Sequence, residues 1–185
     1  MSQPTTQKRK SYISISRLYF WTATINNWYK LLDKEVVKDI IIASLQYLTE
    51  KGKITVYGFV IMPNHIHLVW QIHELNGKET VQASFLKYTA HALKKWLQAN
   101  DTEFLKLFAV KAANKSYEFW QRDSLAFELT QRDTAIQKIE YMHNNPVAKH
   151  WNLAATREQY KYSSAQFYYN GENDLGFLQH IMTVV

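Results

Sequence analysis

Two strand-type runs joined across a Pro-Asn break constrain the fold of this chain more than any other feature. Ile54 to Ile61 is apolar at nearly every position, Pro63 and Asn64 interrupt it, and a second run extends from His65 to about His73. In the second run Ile66, Leu68, Trp70 and Ile72 fall on one face and His65, His67, Val69, Gln71 and His73 on the other. The first face is wholly apolar and must be covered by helices. The second is mostly polar, and both leading histidines lie on it.

The remaining elements follow from periodicity and punctuation. Arg17 to Trp28 is β-branched and aromatic, which predicts a strand. Asp33 is placed to cap a helix running to about Glu50, with Val37, Ile40, Ile41, Ser44 and Leu48 at helical spacing and Gly52 after its end. Residues 79–99 predict an amphipathic helix with Leu86, Ala90, Leu93 and Leu97 as its apolar stripe. Lys87, His91, Lys94, Lys95 and Gln98 form a basic ridge on another side. Residues 100–117 read as a short helix and a loop. Phe119 to Leu129 predicts a fourth strand, and about Thr134 to Asn144 a helix. Pro146 disfavours helical geometry at Asn145 and ends it there. Arg157 to Tyr168 predicts a further helix.

The order βαββαβα predicts an α+β fold of the ferredoxin-like (βαββαβ) kind. Its antiparallel sheet has helices on one face and an additional helix carrying Tyr141. The division expected is a flexible basic N-terminus over 1–16, which includes Lys8-Arg9-Lys10, a catalytic domain over 17–170, and a turn-rich tail over 171–185.

With 185 residues, 46% hydrophobic and 21% charged, the chain has ordinary globular composition for one domain. It has no cysteine, hence no disulfide and no thiolate metal site. No apolar run approaches a membrane span, and the polar start lacks the apolar core of a signal peptide. These features point to a cytoplasmic protein with no membrane partner. A net charge of +6, with 12 Tyr, 9 Phe and 6 Trp, suits a polyanion whose bases stack on rings, as single-stranded nucleic acid does.

Histidines two apart on a strand are neighbours and can chelate one divalent cation, Mg²⁺ or Mn²⁺, leaving room for oxygen ligands. Tyr141 and Asn145 lie one helical turn apart. The amide of Asn145 could complete a site with His65 and His67, with Asn144 its rival as third ligand. The phenol of Tyr141 could then attack a phosphodiester. Read by themselves, His-x-His is also compatible with two surface imidazoles, and Tyr141 with a core tyrosine before an Asn-Asn-Pro stop. His143, two residues from Tyr141, points elsewhere on a helix and reads as surface or packing.

Gly58-Phe59-Val60-Ile61-Met62-Pro63-Asn64-His65-Ile66-His67-Leu68 resembles the histidine motif of the single-tyrosine HUH transposases, in particular the REP-associated tyrosine transposases. Ser84-Phe85-Leu86-Lys87-Tyr88-Thr89, Phe119-Trp120-Gln121-Arg122-Asp123, Tyr141-Met142-His143-Asn144-Asn145-Pro146-Val147 and Tyr160-Lys161-Tyr162-Ser163-Ser164-Ala165 follow in the family's order, over about residues 17–170. The resemblance implies His65 and His67 as metal ligands, Tyr141 as nucleophile and Asn145 as a further ligand. It implies a metal-dependent enzyme of DNA transposition and recombination. Such an enzyme cleaves and rejoins single-stranded DNA near palindromic REP-type hairpins through a covalent 5′-phosphotyrosine, in the bacterial cytosol or nucleoid. A homodimer is one of the assemblies it allows. Lys87, His91, Lys94, Lys95 and Arg122 are candidate DNA contacts, with a structural pairing of Arg122 as its alternative.

The chain departs from the family twice. Leu125 stands near the place of a frequent histidine, and Ala148-Lys149-His150 follows Val147 where relatives read Arg or Lys, Ala, Gly. A non-catalytic single-stranded nucleic-acid-binding module on the same sheet is the alternative function, and a water-using metal hydrolase a third.

Overall fold

The computed structural model describes residues 13–113 and 115–185, so Lys8-Arg9-Lys10 and most of the expected N-terminal segment lie outside the described residues. Strand β1 is Leu18–Thr24, β2 is Ile54–Ile61 and β3 is His65–Ile72. Helix α1 (Glu35–Glu50) connects β1 to β2, and α2 (Val81–Asn100) follows β3. After α2 come a short helix α3 (Thr102–Lys106) and a small hairpin of β4 (Ala109–Ala112) and β5 (Lys115–Tyr117). Strand β6 (Leu125–Glu128), helix α4 (Arg132–Asn144) and a short helix α5 (Ala165–Asn170) complete the chain.

The main sheet has the order β2-β3-β1-β6, and each neighbouring pair is antiparallel. This is the ferredoxin-like order expected from the sequence. One face carries Ile66, Leu68, Trp70 and Ile72, all buried. Trp21 of β1 stacks on Trp70 at 4.9 Å between ring centroids, and Phe85 of α2 meets both edge-on. Burying three rings of this size stabilises the layer by roughly 1.5–3 kcal/mol each. The buried stripe of α2 is Val81, Phe85, Thr89, Leu93 and Leu97, while Leu86 and Ala90 are only half-buried. Thr89 is tolerated there because its hydroxyl donates to the Phe85 carbonyl (2.8 Å) and accepts from the Trp120 indole (3.0 Å).

Three expectations need correction. The fourth strand is four residues long rather than spanning 119–129. Phe119 and Trp120 are buried as packing side chains, and the chain then bends at Asp123, whose φ of 62° cannot continue a strand. Residues 157–168 do not form one helix. A 3₁₀ turn at Arg157–Gln159 is followed by a segment along the outer edge of β2, where Ile61 N–H donates to the Tyr162 carbonyl (2.9 Å) and Ser164 N–H to that of Phe59 (3.0 Å). The unpaired edge of β2 captures this segment before α5 starts. Asp33 closes a 3₁₀ turn, Leu31–Asp33, and is not the cap, so α1 begins after Lys34. Residues 171–185 place Phe177, Leu178 and Ile181 in the core.

Helix α4 crosses the other face of the sheet, and Gly58 on β2 is what lets it approach. A β-carbon at Gly58 would lie 2.5 Å from Cδ1 of Ile139 and closer still to Cε of Met142, both on α4. Gly58→Ala is therefore expected to destabilise the fold by about 1–3 kcal/mol through overpacking. An unchanged urea midpoint would contradict this account.

Candidate active site

The site lies on the face of the sheet that α4 covers. The β1–β3 register sets Thr22 opposite His67 and Thr24 opposite His65. The two imidazoles meet edge to face, with ring centroids 4.7 Å apart. The Nδ1 of each is already engaged. That of His67 is 2.7 Å from the Thr22 hydroxyl, and that of His65 is 2.7 Å from Oδ1 of Asn64. Among the described residues neither Nε2 has a hydrogen-bond partner. Fixing one ring nitrogen by hydrogen bond and leaving the other free is the arrangement of a metal-ligating histidine.

Both rings are largely withdrawn from water. Burial pushes the pKa of His65 down to about 4, and burial, the neighbouring His65 and the Lys138 ammonium push that of His67 down to about 3. Neutral imidazole is the form that binds a cation. Asn145 ends α4 one turn beyond Tyr141 and is half-buried, and its side-chain amide has no partner among the described residues. Asn144 is exposed. The described residues contain no cluster of three or more His, Cys, Asp or Glu suited to a metal, so a cation here would rely on two imidazoles and neutral oxygen donors. The paired, oriented and neutral rings fit a divalent ion with several open positions.

Tyr141 stands beside this pair. Its ring is 5.7 Å from that of His67 and 6.1 Å from that of Phe20, which itself stacks on His67 at 5.0 Å. Half of Tyr141 is exposed (50%), and its hydroxyl has no hydrogen-bond partner among the described residues. The structure thus brings together His65, His67 and Tyr141, which are far apart in the chain. The Trp151 ring lies 5.9 Å from that of His65. It comes from the turn after Val147, where Leu153 N–H donates to the Pro146 carbonyl (2.8 Å) and Asn152 has φ 46°.

The remaining candidates are placed elsewhere. His143 is a fully buried residue of α4, its Nε2 2.8 Å from the Ser164 hydroxyl, and burial, then the charge of Arg157, lowers its pKa to about 3. Packing, not surface exposure, is its role. Lys87 pairs with Glu79 at 2.7 Å. His91 and Lys94 line a groove with Lys115, Ser116 and Tyr117, where the Lys94 ammonium lies 5.1 Å from the Tyr117 ring centre. Lys95 is exposed on α2. Arg122 pairs with Glu118 at 2.9 Å, and Glu118 also binds Lys115. None of these five is among the ring contacts of the histidine–tyrosine cluster.

Sequence reasoning missed Thr22, Phe20 and Lys138. The first two depend on the register of β1 against β3, which no local pattern carries. Lys138 had a local signal, since it sits three residues before Tyr141 on one helix. Its ammonium lies 5.1 Å from the centre of Phe20, 5.6 Å from Phe127 and 5.7 Å from Tyr141.

Two predictions arise here. Thr22→Val should weaken divalent-ion binding about 10- to 100-fold by releasing the His67 ring, measured by calorimetric titration with Mn²⁺. An affinity equal to that of the unaltered protein would rule out this orienting role. The second concerns acid stability. His65, His67 and His143 stay neutral in the folded chain below pH 6.5, whereas the unfolded chain takes up protons there. Stability is therefore complete above about pH 6.5 and falls as pH drops towards 4, by about 1.4 kcal/mol per pH unit for each histidine fully protonated only when unfolded. Metal-free protein should show a thermal midpoint that drops steadily from pH 7 to pH 5, and a flat profile would refute it.

No protein-family profile matches the sequence, and no curated protein is significantly similar to it. Among solved structures, a REP-associated tyrosine transposase bound to a REP hairpin superposes with TM-score 0.60 at 13% identity, over 95% of this chain and 93% of that one. A candidate transposase from Deinococcus radiodurans gives TM-score 0.38 at 17% identity, over 75% of this chain and 97% of that one. At 13% identity the likeness is one of fold, and nearly the whole described chain has the fold of a REP-associated tyrosine transposase.

Proposed function

We propose that this protein is a DNA strand transferase and endonuclease of the transposase type, in which Tyr141 is the nucleophile. It acts on single-stranded DNA next to palindromic hairpins. The observation that carries the reading is the half-exposed Tyr141 ring beside two neutral imidazoles whose Nε2 atoms have no hydrogen-bond partner among the described residues. The fold it shares with a transposase that binds a REP hairpin supports the substrate class. A net charge of +6 agrees with a polyanionic partner.

His65 and His67, with the amide of Asn145, would hold Mg²⁺ or Mn²⁺. When bound, such an ion supplies Lewis-acid polarisation of a phosphate oxygen. Thr22 and Asn64 keep the two rings in the ligand orientation. Burial keeps them unprotonated at neutral pH, so they donate lone pairs and not protons. The Tyr141 oxygen attacks phosphorus, and the bond from phosphorus to the 3′-oxygen breaks. The phenolic proton is lost as the 3′-hydroxyl gains one, through solvent. A phosphodiester bond is exchanged for a phosphotyrosine bond, so a later DNA hydroxyl can displace Tyr141 without nucleotide hydrolysis. Phenol is a weak nucleophile at its ordinary pKa of roughly 10, and it depends on the electrophile's polarisation and on close placement.

The test is incubation with single-stranded hairpin oligonucleotides from the DNA flanking the gene, with Mn²⁺, Mg²⁺ or EDTA. Products are run on a denaturing protein gel. A metal-dependent shifted band is the expected result. Binding without any adduct or cleavage would favour a non-catalytic nucleic-acid-binding module.

A further inference from the structure

One part of the site face is not used by the chemistry above. Strand β6 lies at the end of the sheet, and its residues Leu125 and Phe127 pair in register with Thr22 and Phe20 of β1. Phe20 stacks on His67, and the Thr22 hydroxyl bonds to it, so Leu125 and Phe127 stand on the same face as the histidines. Both are strongly exposed, Leu125 at 67% and Phe127 at 53%. Large apolar side chains side by side in water, next to a half-exposed Tyr141, form an uncovered shelf.

The shelf carries one charge. The Lys138 ammonium sits between Phe127 and Tyr141, within 6 Å of both ring centres. No carboxylate neutralises it among the described residues. Glu140 on the same helix pairs with Arg157, and Glu128, next to Phe127, lies 3.8 Å from Arg17. A cation held against rings and lacking a carboxylate partner is complementary to a phosphate whose adjoining base lies flat on one ring.

We propose that Phe127 and Lys138 form a nucleotide subsite beside Tyr141, in which the Phe127 ring stacks a base and the Lys138 ammonium holds the backbone phosphate that adjoins it. The occupant is single-stranded nucleic acid, because a paired base does not offer its face to a side chain. Leu125 extends the apolar floor under the sugar or the next base. The subsite rests on the reading of Tyr141 as a nucleophile towards DNA, and it gives that reading a way to position the strand. It also accounts for a half-buried lysine at 138, three residues before the tyrosine, where a solvated helix face would not aim an ammonium at three rings.

The test is a fluorescence-anisotropy titration in EDTA, which keeps binding separate from cleavage. One probe is a labelled single-stranded DNA pool of random sequence, longer than a site of roughly 4–16 nucleotides. The other is an abasic sugar-phosphate oligomer of equal length. Phe127→Ala is expected to weaken binding of the pool roughly 5- to 100-fold and to leave the abasic oligomer unaffected, while Phe127→Tyr keeps full affinity. Lys138→Gln is expected to weaken both probes and to lower the slope of log affinity against log salt by about 0.7, and Lys138→Arg restores the slope. Equal affinities and slopes for all variants would overturn the subsite even if Tyr141 forms its adduct. So would failure of the unaltered protein to bind the pool. If the variants behave as expected but no tyrosine adduct ever forms, the subsite stands and the nucleophile reading falls.

Discussion

Tyr141→Phe should abolish the covalent protein–DNA adduct and reduce strand cleavage by at least about 10³-fold, because no other group can take the place of a lost nucleophile. The substitution removes one oxygen that has no hydrogen-bond partner among the described residues, from a side chain that is half exposed. The ring contacts with His67, Phe20 and Lys138 remain available to phenylalanine. Stability should therefore change by less than about 0.5 kcal/mol, and single-stranded DNA should bind with nearly unchanged affinity. This separation of binding from chemistry is the useful property of the variant. Cleavage that persists in Tyr141→Phe would assign the reaction to water activated at the histidine pair, and the chain would then be a metal hydrolase. Cleavage that persists in EDTA would remove the metal from the reading.

How much of this was legible in the sequence depends on whether a residue's role is local. The limits of β2 and β3 could be read directly, because Pro63 and Asn64 break the pairing and the alternation of Ile66, Leu68, Trp70 and Ile72 fixes the buried face. The end of α4 at Asn144 matches the expected boundary, but Asn145 keeps helical angles (φ −56°, ψ −47°) and the chain continues as a 3₁₀ turn over Asn145–Val147, so Pro146 changes the type of helix and not the geometry of Asn145. Local pattern failed where tertiary partners decided the backbone. Phe119 and Trp120 look like strand residues, yet Trp120 is held by Thr89 of α2 and the ladder resumes only at Leu125. Tyr160 to Ser164 lies within the stretch expected to be helical, yet the open edge of β2 holds it extended. The same division applies to the site. Each histidine could be found from its motif, but the nearness of Tyr141 to His67 depends on α4 crossing β2 at Gly58, a contact between residues distant in sequence. The shelf at Phe127 depends on the β1–β6 register and had no local signature.

His67→Ala is expected to eliminate metal-dependent cleavage, because the loss of one imidazole leaves a single histidine and an amide, too few protein donors to hold a labile divalent ion. Lewis-acid assistance is worth several kcal/mol, so a loss of about 10³-fold or more is expected at saturating DNA. Calorimetric titration with Mn²⁺ should show no binding. The metal-free protein provides a second, independent measurement. His67 is buried (6% exposed) under Phe20 and Tyr141, so the alanine leaves a cavity and should lower stability at pH 7.5 by about 2–4 kcal/mol. Yet it removes one group that the folded chain refuses to protonate and the unfolded chain protonates. Between pH 6 and pH 5 the acid-induced fall in stability should therefore be shallower than in the unaltered protein, by about 1 kcal/mol per pH unit. A histidine kept only for packing would give the cavity cost and the shallower slope with cleavage intact. A histidine kept as a ligand gives all three effects, and intact Mn²⁺ binding in His67→Ala would move the metal away from this pair.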